Sequence, residues 1–283
     1  MSHALVSGSS RPWISVLRDG AAILVVALFL FPILWWALTS IKPGSAIFDP
    51  DGPVFFAFKP TLENYRIALG AGSVMAAENR QAFIDTVLVA SASTLLAVSI
   101  GIFAAYGLSR FSSRGTRLVL WTAILFRMAP PVALVVPSVF LLNAVGLFNT
   151  RLGLVLMHAT LHLPMAVLLL KSFIDEVPRE VDEAARLDGA SALQLMRRII
   201  LPSIRGGVAA TAILCFLFSF TEFLFSLFVT VSFRTIPVKL AILSAGQWGA
   251  LAALGTAALV PAFVVILLVQ RHLVRGLTMG MQK

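Results

Sequence analysis

Four ionisable side chains lie inside long apolar stretches of the sequence, and they are Arg127, His158, His162 and Glu222. Charged groups are costly in hydrocarbon, so we expect these side chains to face the interior of a helix bundle, a partner chain or water. Arg127 and Glu222 could belong to a structural ion pair or hydrogen-bonding network, or they could contact a transported solute. A guanidinium that faces a pathway can hold a hydroxyl pair or an anionic group. The four residues are therefore candidates for a substrate pathway.

The two histidines, in the sequence HATLH, are four residues apart and share one face of a helix. This spacing can bind a metal, but no glutamate follows the first histidine as in the H-E-x-x-H motif, and no third ligand is evident. A polar stripe along a pathway or an interhelical hydrogen bond is the favoured interpretation, and no metal ligand is assigned. A membrane-embedded enzyme that uses both histidines and Glu222 as a metal or acid–base site stays open as an alternative.

The sequence contains no G-x-x-x-x-G-K-[ST] loop, the motif whose backbone N–H groups cradle nucleotide phosphates. We therefore predict that this chain is not an enzyme and holds no cofactor, and that any ATP-driven transport takes its energy from another chain. A proton-coupled carrier is another alternative, but it would need a relay of acids within the membrane. Asp85 and Glu222 are too few for such a relay.

A charged segment, residues 174–205, separates two long apolar runs and predicts two short helices. Pro178 and Glu180 favour a helix start, because proline fits the first turn and an acid there complements the helix dipole. Gly189 favours a break, since a residue without Cβ can turn sharply. Pro202 favours a helix end before the next apolar run. A segment this rich in charge is expected to face water, where a partner could bind it.

Within this segment, Glu183-Ala184-Ala185, Gly189, Ile199 and Leu201-Pro202 match, at their spacing, the EAA loop of ABC-importer permease subunits. The sequence thus resembles that family, and the resemblance implies a coupling helix that seats in a groove on a separate ATPase. A solvated amphipathic linker is the alternative. The residues that the resemblance assigns to ATPase coupling are Glu183, Ala184, Ala185, Asp188, Gly189, Ile199, Leu201 and Pro202.

Other segments resemble the carbohydrate permeases of the maltose-transporter type. They are AAYGLSR at 104–110, NTRLGLVL at 149–156, TEFLFSL at 221–227 and VRGLTMG at 274–280. The resemblance implies an importer for a sugar, sugar derivative or polyol, built with a second, different permease, two ATPase subunits and an external or periplasmic solute-binding protein. The closing segment resembles the part of such permeases that reaches toward the ATPase, although a snorkelling basic end is the alternative.

Two positions depart from the pattern of that group. Asp85-Thr86 stands where Asn-Ser is expected, and Thr221 stands where a Trp-Asn-type pair is common. Both lie in or near apolar runs, so they affect the expected cargo rather than the mechanism. A permease for an amino acid, peptide or inorganic anion therefore remains an alternative, because the EAA loop is shared across importers.

The composition indicates an integral membrane protein. Of the 283 residues, 59% are hydrophobic and 12% are charged, whereas a soluble domain carries about 25% charged residues. The mean hydropathy is +0.93 and the formal net charge is +9. No basic run with interleaved aromatic residues is present, so nucleic acid is not an expected partner. Cys215 is the only cysteine, which excludes a disulfide framework.

The apolar runs are long enough to cross a hydrocarbon core of about 30 Å and predict about six transmembrane helices. The resemblance implies that this all-α integral membrane protein has the type I ABC importer permease fold. The first run is longer than the apolar region of a signal peptide and is interpreted as a retained span. The predicted parts are an N-terminal segment 1–19, a transmembrane domain 20–273 and a tail 274–283. The transmembrane domain contains the coupling loop 174–205 and the predicted spans 20–40, 82–108, 118–142, 152–170, 206–232 and 249–269.

Local residue types predict further features of these spans. Pro130, Pro131 and Pro137 remove backbone donors and are expected to kink or break the third span. Small residues at every fourth position from Ser93 to Ser109 predict a packing face on the second span. Residues 41–81 combine prolines with balanced charge and are expected to form an ordered loop outside the bilayer core.

The distribution of lysine and arginine predicts the orientation. The segments 1–19, 110–117, 174–205 and 270–283 contain 13 of these residues, whereas the opposite loops 41–81, 143–151 and 232–249 contain 7. The positive-inside rule therefore predicts that both termini and the EAA segment lie in the cytoplasm. The expected location is the bacterial cytoplasmic (inner) membrane, crossed several times, with ATP on the side of the EAA segment.

Overall fold

The computed structural model describes residues 12–49, 55–111, 113–243 and 245–279. Every regular element in these ranges is helical, in agreement with the predicted all-α fold. One π-helical turn occurs at Met196–Ile200. The helices are α1 Pro12–Ser40, α2 Gly44–Ile47, α3 Glu63–Leu69, α4 Val74–Arg110, α5 Arg114–Met128, α6 Pro131–Ala144, α7 Arg151–Asp175, α8 Arg179–Leu187, α9 Ala192–Ser203, α10 Arg205–Phe220, α11 Leu224–Val229, α12 Ile236–Ile242 and α13 Trp248–Met279.

Four of these helices are long and apolar enough to cross a membrane, namely α1, α4, α7 and the first part of α13. Two further pairs pass the same criterion together but are strongly bent, by 104° between α5 and α6 and by 80° between α9 and α10. The number of spans is therefore four, or up to six if each bent pair counts as one span. Both α1 and α4 begin about eight residues before the predicted spans, at Pro12 and Val74.

The break between α5 and α6 lies at the prolines that the sequence singles out. Ala129, which precedes Pro130, has an extended backbone with φ −63° and ψ 133°, as expected for a residue whose α conformation is obstructed by a following proline. Pro131 opens α6 at its first position, where a missing N–H costs nothing. Pro137 lies inside α6 without ending it.

The fifth predicted span, 206–232, is also interrupted. Helix α10 ends at Phe220, and α11 begins only at Leu224. The carboxylate of Glu222 accepts the backbone N–H groups of Phe225 and Ser226 at 2.8 and 3.0 Å. It therefore satisfies donors that the first turn of a helix leaves unpaired, and this fixes the start of α11.

The chain divides into two compact units, of which the smaller comprises residues 1–71 and 244–257 and the larger 72–243 and 258–283. In the smaller unit, the side-chain amide of Asn64 donates to the carbonyl oxygens of Ser40 and Lys42 at 3.0 and 2.7 Å. These bonds hold α3 against the end of α1. Residues 50–54 of the predicted loop 41–81 lie outside the described ranges.

Close packing of α4 against α7 forms the centre of the larger unit. The predicted ridge of small residues on α4, from Ser93 to Ser109, is buried along its whole length. At Gly101 an added Cβ would lie 3.2 Å from the Cβ of Ala166 on α7. The missing side chain thus permits a close approach of the two helices, which confirms the predicted packing face.

Candidate functional site

The EAA segment folds as two short helices joined by a glycine turn. Helix α8 begins after Pro178, which takes the N-cap position with an extended backbone. Gly189 has φ +82°, in the left-handed region that favours glycine. Two backbone bonds close the turn: the Ala190 N–H donates to Ala185 O, and the Gly189 N–H to Arg186 O, both at 3.0 Å. This is a Schellman motif. The predicted start and break lie where the sequence placed them.

One face of α8 is open to solvent and carries an apolar side chain. Leu187 is 90% exposed, and Glu183 and Ala184 beside it are also exposed. Asp188 and Gly189 continue this surface beyond the helix end. The exposed apolar side chain lies beside residues of the EAA pattern, so this side of the helix is available to a partner. We call the surface formed by these five residues the α8 face.

The opposite side of the segment packs into the core of the larger unit. Ala185 of α8 and Leu195, Met196 and Ile200 of α9 are buried in a cluster that also contains Leu170 of α7. Two other residues of the predicted coupling set pack at its edge and are partly buried, and these are Ile199 and Leu201. Pro202 is exposed at the end of the segment.

A buried ion pair fastens the start of α8 to the end of α4. The Arg110 guanidinium donates to both oxygens of the Asp182 carboxylate at 2.8 and 3.3 Å, and the Tyr106 hydroxyl donates to it at 3.1 Å. The side chains of the pair are only 6% and 7% exposed. Arg110 also donates to the carbonyl of Val177, and Arg179 donates to that of Ser109. We call the Arg110–Asp182 pair the clamp.

Sequence reasoning missed the clamp, although both of its residues stand in recognised segments. Arg110 closes AAYGLSR, and Asp182 immediately precedes Glu183. The signal that could have found Asp182 is its position on α8, one residue before Glu183 and three before the buried Ala185. An acid on the buried side of a helix requires a partner.

Within the helices, His158 and Glu222 form the centre of a polar cluster. His158 Nε2 lies 3.1 Å from the Glu222 carboxylate, and its Nδ1 lies 2.7 Å from the Ser219 hydroxyl. Ser219 in turn shares a hydrogen bond of 2.9 Å with Ser93 of α4. His158 and Ser219 are almost fully buried. This cluster therefore joins α4, α7, α10 and the start of α11.

The other two pathway candidates lie beside this cluster without joining its hydrogen bonds. The His162 ring lies 6.2 Å from that of His158 and 6.3 Å from that of Phe218, measured between centroids. The Arg127 guanidinium lies 5.6 Å from the Phe218 ring. The structure thus brings His158 and Glu222 into direct contact, and it connects Arg127 to His162 only through Phe218. Glu222 belongs to a structural hydrogen-bonding network with His158, and no ion pair between Arg127 and Glu222 occurs among the described residues.

No group of three or more histidine, cysteine or acidic side chains that could hold a metal ion occurs within the described ranges. The two histidines face different surroundings, because one binds Ser219 and Glu222 while the other has a buried Nε2 without a hydrogen-bond partner. Their shared helix face therefore supplies an interhelical hydrogen bond at His158, as the favoured interpretation predicts.

Asp85 and Thr86, which depart from the pattern of carbohydrate permeases, lie in the N-terminal half of α4 and have structural partners. The carboxylate of Asp85 is 1% exposed and accepts two bonds from Arg151, the first residue of α7, at 2.6 and 3.2 Å. The Thr86 hydroxyl accepts the backbone N–H of Ile236, the first residue of α12. These bonds connect α4 to α7 and to α12, so a structural role explains both residues without a contact to the cargo.

Comparison with known proteins identifies the family. Residues 97–279 match the family described as binding-protein-dependent transport system inner membrane component. The trehalose transport permease SugB of Mycobacterium tuberculosis is 34% identical over 92% of this chain and 94% of its own length. The trehalose/maltose transport permease MalG of Thermococcus litoralis is 32% identical over 93% and 94%.

A solved structure supports the fold. A bacterial ABC transporter involved in the import of the acidic polysaccharide alginate has a chain similar to this one with a TM-score of 0.78 and 18% identity, covering 96% of this chain and all of its own. At this identity the likeness establishes the fold alone, which is that of ABC-importer permeases. With the family match and the two permease relatives, it leads to one conclusion: the chain belongs to the inner-membrane permease components of binding-protein-dependent ABC transport systems.

Proposed function

We propose that this chain forms half of the translocation pathway of an ATP-driven importer and receives the motion of a separate ATPase through the α8 face. The observation that carries the proposal is the arrangement of α8, whose exposed side presents Leu187 while its buried side is fastened to α4 by the clamp. A helix that is open on one side and rigidly attached on the other can transmit a force from a partner to the bundle.

Two routes lead from the α8 face into the bundle. The clamp connects α8 to α4, whose Ser93 belongs to the polar cluster. The second route runs along the chain from α9 across the 80° bend into α10, which carries Ser219 at its far end. A rigid-body movement of α8 and α9 would therefore reach the polar cluster from two sides. This is the coupling mechanism that we propose.

The proposed cargo is a sugar, sugar derivative or polyol. Relatives of this chain are named as permeases for trehalose, for trehalose and maltose, and for sulfoquinovosyl glycerol. The proposed assembly contains a second, different permease, two ATPase subunits that bind ATP and Mg²⁺, and an external solute-binding protein. A related alginate transporter has been solved with its periplasmic protein, which supports the last of these partners.

The proposed orientation follows from the lysine and arginine count. Both termini and the α8 face lie on the cytoplasmic side of the bacterial inner membrane. Residues 1–11 and 280–283 lie outside the described ranges, and the side chains beyond Leu267 are not described. The proposed role of the tail at the ATPase therefore depends on its sequence alone.

Affinity purification from native membranes with a tag on this chain tests the proposed assembly. We expect an ATPase and a second permease to co-purify in stoichiometric amounts. Leu187→Glu should release the ATPase and retain the second permease, because a charge replaces the apolar contact. Glu183→Lys should retain assembly but uncouple ATP hydrolysis from uptake. The matched control is Val145→Glu, which places the same charge at a 58% exposed apolar position on the turn after α6. Normal ATPase retention and uptake in Leu187→Glu would contradict the assignment of the α8 face.

A further inference from the structure

A guanidinium without a counter-ion lies among the membrane helices of the larger unit. Arg127 occupies the last turn of α5 and is exposed. Within the described ranges it forms no hydrogen bond or ion pair, and its recorded contact is with the ring of Phe218. The dipole at the C-terminal end of α5 offsets about half of a unit charge. The remaining charge has to be balanced by water, a partner or a ligand, because a cation in a membrane span is costly.

The nearby acid cannot supply this balance. Glu222 already binds His158 and accepts three further bonds, from the backbone N–H groups of Phe225 and Ser226 and from the Ser226 hydroxyl. A carboxylate with four partners has its acceptor capacity filled. Glu222 is therefore not the counter-ion of Arg127, and no other ion pair of Arg127 occurs within the described ranges.

An aromatic ring adjoins the guanidinium, and a second polar side chain packs on the same ring. The Nε2 atom of His162 is buried and has no hydrogen-bond partner in the described part of the chain. Its ring is stacked against that of Phe218 with an interplanar angle of 28°. The Phe218 side chain itself remains 44% exposed. A partly exposed ring with a cation and an unsatisfied imidazole nitrogen beside it has the composition of a ligand site, in which a few polar groups adjoin aromatic surface.

The depth of these residues agrees with a place on the pathway. Arg127 lies nine residues after the start of the predicted span 118–142, and His162 lies ten residues after the start of the predicted span 152–170. At 1.5 Å per residue these positions are about 14 and 15 Å from the starts of their spans. For spans that cross a hydrocarbon core of about 30 Å, both positions fall near the midplane, the depth at which many membrane transporters place their substrate sites.

We propose that Arg127, Phe218 and His162 form a cargo subsite for a sugar that carries an oxyanion, such as a carboxylate or sulfonate. The inference rests on the proposed function and narrows its cargo. The planar guanidinium can hold the oxyanion by two parallel hydrogen bonds, and the exposed part of the Phe218 ring can contact the apolar face of the pyranose. A carboxylate of the second permease would neutralise Arg127 but would leave the His162 nitrogen and the aromatic surface unused.

The test uses the complete importer with its native partners, reconstituted in proteoliposomes with ATP and the solute-binding protein. Uptake of labelled digalacturonate is compared with uptake of its neutral analogue galactobiose. We expect the wild type to transport the acidic sugar at least tenfold faster. Arg127→Gln should lower the maximal rate for the acidic sugar at least tenfold and leave that for the neutral sugar unchanged, while Arg127→Lys should retain part of the acidic rate. Arg117→Gln, an exposed arginine on the same helix, is the control and should change neither rate.

Three results would overturn the inference. If the wild type transports only the neutral sugar, the subsite is not selective for an oxyanion, although the proposed sugar importer stands. If no sugar is transported, the proposed function fails as well. If Arg127→Gln loses the second permease on purification while Arg127→Lys retains it, the guanidinium serves a subunit contact and not the cargo.

Discussion

The clamp between Arg110 and Asp182 offers the sharpest test of how α8 is coupled to the bundle. Asp182→Asn removes the charge that accepts three side-chain hydrogen bonds and leaves the Arg110 guanidinium only 6% exposed. Removing one partner of a buried ion pair costs about 3–5 kcal/mol, because the other charge remains buried without compensation. When α8 detaches, Arg110 reaches water while the rest of the bundle stays folded. We therefore expect the lost free energy to appear as more frequent local opening of α8.

Hydrogen–deuterium exchange of the purified importer measures this opening. Since about 1.4 kcal/mol corresponds to a factor of ten, the amides of α8 should exchange at least about 100-fold faster in Asp182→Asn. ATP hydrolysis should continue while uptake falls, because the ATPase would then move a helix that is no longer fastened to α4. Replacing both residues by apolar ones, Asp182→Leu with Arg110→Met, should restore much of the protection, since no charge is left unpaired.

Asp175→Asn is the matched control for this prediction. Asp175 also binds a cation, the ammonium of Lys171 at 2.6 Å, but the two side chains are 44% and 23% exposed. An exposed i, i+4 pair contributes about 0.3–0.5 kcal/mol, so its loss should change exchange less than about threefold. If Asp182→Asn and Asp175→Asn gave the same exchange and the same uptake, the clamp would have no part in coupling.

Three further predictions concern single positions. Gly189→Ala should destabilise the turn of the EAA segment by about 1–2 kcal/mol, because the φ of +82° at this position disfavours a Cβ although space is available. Gly189→Asn should destabilise the turn less. Equal hydrogen–deuterium exchange rates in the two variants would contradict a conformational cause. Glu222→Ala should lower the thermal midpoint of the complex more than Glu222→Gln, because glutamine can still accept a backbone N–H of α11, and equal midpoints would argue against a capping role. Burial lowers the pKa of Lys42 from its ordinary 10.5. The unfolded chain therefore binds this proton more readily than the folded chain, so the group lowers the free energy of unfolding at neutral pH. This destabilisation becomes smaller as the pH rises through the folded pKa toward 10.5. As the pH rises, the thermal midpoint of the wild type should therefore increase relative to that of Lys42→Met. A constant difference between the two midpoints would refute the burial argument.

Local signals in the sequence sufficed where a backbone preference decides the structure. Gly189 turns because glycine tolerates a positive φ. Pro178 and Pro130 mark helix boundaries because proline fixes its own φ and obstructs the α conformation of the residue before it, whatever surrounds them. The EAA spacing and the long apolar runs predicted the family and the class of fold for a similar reason, since both are carried by residue types at fixed separations. The position of the break before α11 was missed, because Glu222 acts there as a helix cap and not as part of a continuous span.

Tertiary structure alone decided which polar groups meet. Asp182 binds Arg110 across 72 residues, and Glu222 binds His158 across 64. Each of these pairs joins two different helices, so it depends on how the helices are rotated and how far they are shifted along their axes, and close packing sets both. The sequence could name Arg127, His158, His162 and Glu222 as candidates because charge in an apolar run is unusual. It could not divide them into a satisfied pair and an unsatisfied one, because a hydrogen bond depends on distances of about 3 Å that only the packed helices define.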